Sequence, residues 1–299
     1  MSRSNFRGAP ALAVLAAASA LITLAQPAQA GEARRVMPMP QARAALAAQA
    51  QAQAAGGPVN YYGGPVIGNV KVVSVMWGTG VSSTISKAIP GFSQALVNSS
   101  FVDQMSQYDT TGPGINGMPG TQQHIARGSY LGQKVITPKN TAKTLTDADI
   151  QTELLYQISS GSLPPHDLNT FYMIYFPSAV KIKLDGSTSC LGFGAYHSAV
   201  YSQVNDANVF YSVEPDCRMG LGNITVAASH EFVEAMTDAI PTPGSSPAYP
   251  QAWNNSTGYE VGDLCSGSGK LTAGSKSWTV TQYWLNSKAA CSTGNYTSP

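Results

Sequence analysis

Four cysteines constrain this chain more than any other feature: Cys190, Cys217, Cys265 and Cys291. The count is even and no C-x-x-C spacing occurs. This disfavours a zinc–cysteine site and points to two disulfides formed in an oxidising compartment. Of the three pairings, Cys190–Cys217 with Cys265–Cys291 is favoured. Each bond closes a loop of roughly 25 residues, a constraint worth ~3 kcal/mol in the chain-entropy model.

The N-terminus agrees with that compartment. Residues 1–30 read as a signal peptide: Arg3 and Arg7 form a basic start, Ala11 to Ala25 is apolar, and Ala28-Gln29-Ala30 is a small-x-small cleavage site. The apolar run is too short to span a bilayer, and no later stretch is long enough. The expected location is secreted or periplasmic, with no membrane span after cleavage. Beyond residue 30 the chain holds 15 basic and 16 acidic residues, a net charge near −1. That balance excludes a nucleic-acid binder, which needs a basic excess, and attachment to an anionic membrane by charge.

Residues 31–59 are rich in Ala and Gln and lack the large apolar groups of a core. They are expected to be a disordered linker or a pro-like arm. The globular domain is expected over 60–299, as one disulfide-bonded unit. Asn69 to Trp77 and Thr170 to Phe176 read as strands, and Gln122 to Tyr130 as a further one. Phe193 to Tyr201 and Asn208 to Val213 read as a strand pair, and Trp278 to Leu285 as a closing strand. Ile85 to Tyr108 is helical in pattern but interrupted at Pro90-Gly91. Thr146 to Ile158 starts with a capping residue and two early acids. Ile224 to Asp238 is the last helix. This order predicts an α+β fold rather than a regular βαβ series.

The chemistry concentrates on that last helix. The chain has only six glutamates, and Glu231, Glu234 and Glu260 follow His230 within thirty residues. In His230-Glu231-Phe232-Val233-Glu234 the first and last residues lie one helical turn apart on one face, so both can point at one ion. Glu231, rotated by about 100°, can serve as base for a metal-bound water. This is the logic of the H-E-x-x-H zinc peptidases, with Glu234 in place of the second histidine. Glu260 is placed to supply a third ligand. Asp263 would orient His230 from behind, and Asp238 competes for either role. A like-charge trio of carboxylates is costly unless a cation neutralises it. The plainer alternative is a structural His230–Glu234 pair beside a solvated acidic face.

His197 is a candidate to polarise a substrate carbonyl or to give a fourth ligand, and it or its neighbour Tyr196 would steady the oxyanion as a catalytic residue; the alternative for His197 is a satisfied sheet histidine. His124 and His166 read as loop residues without a role. Tyr283 and Trp284 read as core.

The run Val226 to Asp238 (VAASHEFVEAMTD), the following Trp253, and Tyr259-Glu260-Val261-Gly262-Asp263-Leu264-Cys265 resemble the EXORDIUM, or phosphate-induced protein, family of secreted proteins. Tyr62-Gly63-Gly64-Pro65-Val66-Ile67 and Gly194-Ala195-Tyr196-His197 are similar too. The likeness covers roughly residues 60–292. It implies export and a zincin-like mixed sheet with an active-site helix. It also implies one divalent ion, Zn2+ first, on His230, Glu234 and Glu260, with Glu231 as base. One histidine with two carboxylates also suits a harder ion. Two functions follow as expectations. One is an exported metal-dependent peptidase acting on an extracellular peptide or cell-wall-associated substrate. The other is a non-catalytic secreted binding or signalling protein with a structural metal.

Overall fold

Asn69–Trp77 (β1) is β-branched and buried along most of its length, as befits a strand covered on both faces. The computed structural model describes residues 36–39, 58–242, 244 and 246–299. The expected signal peptide and most of the expected 31–59 arm lie outside the described residues. The main elements after β1 are α1 (Ser83–Val97), β2 (Ala126–Ile136), α2 (Asp147–Ser159), β3 (Thr170–Phe176), β4 (Tyr196–Ser202), β5 (Ala207–Pro215) and α3 (Leu221–Thr237). The fold is mixed α+β with several sheets.

The central sheet has the order β2-β1-β3-β5-β4. Its first four members are parallel, and β4 alone runs antiparallel, as the edge strand hairpinned to β5. The hairpin matches the sequence reading. The parallel crossovers through α1 and α2 do not, because long loops at 109–125 and 160–169 hide the alternation. A second departure concerns Pro90. The helix α1 runs through it. Proline forfeits one backbone hydrogen bond there, but Ile85, Ile89, Phe92 and Leu96 bury one continuous stripe that outweighs the loss. At α2 the expected start is a capping box between Thr146 and Asp149.

Strand alternation gives the sheet two unlike faces. One carries Val72, Met76, Phe171, Met173 and Phe210 against α1 and α3. The other carries Val73, Val75, Tyr172, Ile174, Tyr196 and Val213 against Ile150 and Leu154 of α2. The helix α3 is buried on every side from Ile224 to Thr237. The sheet covers one side, and a small sheet of Ser268–Ala273, Lys276–Thr281 and Asn295–Ser298 packs on another. Ser229 Oγ accepts from Thr281 N at 2.8 Å, and Thr225 Oγ1 donates to the Thr279 carbonyl at 2.7 Å.

Both expected disulfides are present, Cys190–Cys217 and Cys265–Cys291. The first ties the approach to β4 to the approach to α3. The second anchors the loop that carries Glu260. Such bonds fit an extracytoplasmic compartment. Among the described residues no helix is long and apolar enough to cross a membrane.

Candidate metal centre

Three segments converge on the α3 face. The helix presents His230, Glu231 and Glu234, β4 presents His197, and the loop after Trp253 presents Glu260 and Asp263. All are nearly out of contact with solvent: His197, His230 and Glu260 are 1% exposed, Glu231 0% and Glu234 3%. Two groups of donors each lie close enough to hold one ion, His197–Glu234–Glu260 and His230–Glu231–Glu234. Glu234 belongs to both.

The contacts specify the arrangement. His230 Nε2 is 3.0 Å from Glu234 Oε1 and 3.7 Å from Asp263 Oδ1. His197 Nδ1 lies 3.4 Å from Glu231 Oε2 and 3.8 Å from Glu234 Oε2. His197 Nε2 is 3.0 Å from the Asp238 carbonyl and 3.5 Å from Glu260 Oε1. The carbonyl can only accept a hydrogen bond, so it assigns Nε2–H as the donor and leaves the Nδ1 lone pair facing Glu231 and Glu234. A backbone carbonyl behind a ring nitrogen is the usual orienting device for a ligating histidine.

Asp238 is therefore tied to His197 through its main chain. Its carboxylate is engaged elsewhere, accepting from Ala252 N at 2.8 Å and Asn254 Nδ2 at 2.6 Å. Asp263 lies beside His230, and its Oδ2 accepts from Glu260 N at 3.3 Å. The sequence-based set of His230, Glu234 and Glu260 is brought to one region, but His230 and Glu260 fall in different donor groups, and His197 stands between Glu234 and Glu260. Tyr196, expected near the reacting atoms, is a correction. It neighbours His197 on a strand and so points to the opposite face, where its hydroxyl donates to Asp147 at 2.8 Å. His124 is largely exposed and pairs with Asp109.

The electrostatics are lopsided. Burial pushes Glu234 up to about 7, against the lowering effect of His230, and pushes Asp238 up to about 6 despite its hydrogen bonds. Burial, then the neighbouring acids Glu234, Asp238 and Asp263, hold Glu260 well above the ordinary carboxylate range. Burial lowers His197. Burial also opposes charge on His230, but Glu234, Asp263 and Glu231 outweigh it and raise the imidazole to about 10. Among the described residues no lysine or arginine pairs with these acids. Both Glu260 oxygens and His230 Nδ1 are buried without a hydrogen-bond partner. Orphaned donors of this kind are costly, and a divalent cation satisfies several at once. The buried His/Glu groups can hold a metal ion.

Sequence reasoning passed over two residues. Glu214 on β5 is fully buried, and its acid is raised by burial and by Glu231. The signal was available: it follows Val209 to Val213, in which Ser212 is the one polar aliphatic side chain, so a charge there stands out. Gly262 is the second. A Cβ at that position would lie 2.7 Å from Glu234 Oε1 and 2.9 Å from His230 Nδ1. Only glycine lets the Glu260 loop close over the helix without displacing those donors.

No family model, curated protein or solved structure matches the chain.

Proposed function

We propose that this is an exported metal-dependent hydrolase, a peptidase. Its centre holds one divalent cation, zinc first, on Glu234 with His230, Glu260 and His197 around it. The observation that carries the reading is the buried excess of carboxylates over imidazoles with no lysine or arginine among the described residues to balance it. The resemblance to the EXORDIUM family supports export and the H-E-x-x-E helix. A helix lying under an antiparallel edge strand supports the zincin-like reading.

A cation in such a centre polarises a carbonyl and lowers the pKa of water toward neutrality. The chain's own residues supply the rest. Glu231, on the same helix and facing His197, takes the proton of the attacking water and passes it to the leaving amine. His197, fixed through Nε2, presents Nδ1 as a further donor. Asp263 holds His230, and Gly262 keeps the loop close.

The near-complete burial of the donors favours a second reading, a structural staple, since structural metal sites are closed and catalytic ones keep an open position. Glu231→Gln separates the two. The hydrolase reading expects metal to be retained and cleavage of a peptide library to fall by ~10²–10⁴-fold. Unchanged cleavage in that variant removes Glu231 as base. Metal retention with no cleavage by either form leaves the staple.

A further inference from the structure

The edge of the central sheet is not bare. Val36–Met39 lies antiparallel to the residues just before β4, with Met37 opposite Ala195. Met37 N donates to the Ala195 carbonyl at 3.0 Å, and Gly194 N donates to the Met37 carbonyl at 2.8 Å. The two bonds make a single antiparallel bridge, and the side chains on either side of it alternate as in a strand. Val36 packs toward the α2-side core, whereas Met37, 3% exposed, packs with Ala195, Val226 and Ala227 on the α3 side.

The position of Met37 matters because of its neighbours. Ala195 and His197 are two apart on one strand and share a face. Ala227 precedes His230 by one helical turn. Met37 therefore sits one side-chain step from the centre along both β4 and α3. Beside it a small pocket, open to solvent, lies between Met39, Gly194 and the start of α3 at Gly220, Asn223 and Ile224, with Met37 in its wall.

We propose that this sheet edge, beside the pocket, is a binding site for an extended peptide strand, and that Val36–Met39 is the chain's own occupant. A peptide in trans would bind by the same main-chain pairing, with an unbranched apolar side chain in the Met37 position, and would have to displace the resident segment. Main-chain hydrogen bonds give such sites affinity, and alternate side-chain pockets give them selectivity. The proposal rests on the reading of the adjacent centre only for its link to catalysis; strand binding itself requires no metal and no turnover.

The test uses the full chain and a fluorescent synthetic peptide of the sequence Arg34 to Gln41, followed by polarisation with the metal content measured separately. Met37→Asp places a charge in the apolar contact and should release the resident segment. The variant is expected to bind the peptide at least tenfold more tightly than the parent chain, and Ala227→Trp added to it should abolish the gain. Equal binding by parent and variant would overturn the proposal. A measurement on the unaltered chain covers a variant that does not fold. Hydrogen exchange should show the Met37 and Gly194 amides protected, and free exchange at both would overturn it. Loss of metal with peptide binding intact would count against the hydrolase reading alone.

Discussion

The two faces of the central sheet each bury an acid, and they do so in opposite ways. On the α2 face Asp147 is 8% exposed and accepts from the hydroxyls of Tyr196 and Tyr211 at 2.8 and 2.6 Å, with Gln151 at 2.8 Å. Its lone pairs are spent on neutral donors. On the α3 face Glu260 is 1% exposed and neither oxygen has a hydrogen-bond partner. Its neighbours are other acids and the ring of His197. The same strands supply both faces: Tyr196 and His197 are adjacent, as are Tyr211 and Ser212. Burial alone does not mark a functional acid. The difference lies in whether the fold satisfies it, because an unsatisfied buried acid is retained at a cost that only a ligand recovers.

The contrast breaks first at Glu260. Glu260→Gln should weaken zinc binding at least ~100-fold, beyond the 10–100-fold typical of losing an outer-shell partner. It should also stabilise the metal-free protein, since one buried acid is removed from a crowded group. Calorimetric titration and thermal unfolding of the same sample read both. Equal zinc affinity in the variant would place Glu260 outside the centre.

Gly262→Ala comes next. The new methyl meets the Glu234 carboxylate and the His230 ring, and one of them must move. Zinc affinity should drop roughly 10-fold or more, the scale of a disturbed outer shell, with little change in disulfide content. An unaltered affinity would show that the loop yields instead of the donors.

Asp147→Asn should do the converse. Zinc binding stays at the parental value, while stability in urea falls by about 1–3 kcal/mol as the two tyrosine hydroxyls lose a charged acceptor. A loss of metal in this variant would mean the two faces are coupled.

The smallest effect is a pH dependence of the metal-free protein. Glu234 sits near 7 and His230 near 10, both above their ordinary values. A group raised on folding contributes stability below its unfolded pKa and loses it as pH rises through the folded one. Between pH 6.5 and 8.5 both groups act in the same direction, so stability should fall. His197, lowered by burial, works in the opposite sense only below about 6.5. Zinc should reverse the trend, because its ligands must be deprotonated. A metal-free protein that gains stability over that window would contradict the charge balance described.

Much of this was legible in the sequence because it is local. The helix face of His230 and Glu234, the helix start at Thr146 and the two cysteine loops each depend on residues close in the chain. Glu260 and His197 were legible as candidates by type, but their side of the site was not: His197 lies between Glu234 and Glu260 only because β4 is the antiparallel edge. Tyr196 failed for a related reason, since adjacent residues on a strand face opposite ways. Glu214 went unnoticed because its meaning depends on which face of β5 meets α3. The parallel crossovers were hidden by long loops, and Pro90 by a tertiary stripe stronger than a local preference.

The central claim is that the α3 face, and not the α2 face, is built around a divalent ion. Zinc titrated into chelator-treated protein tests it most directly. The account predicts one equivalent bound by the parent chain and by Asp147→Asn, and at least ~100-fold weaker binding by Glu234→Gln, since Glu234 alone belongs to both donor groups. No binding by the folded parent, or equal binding by Glu234→Gln, would contradict it.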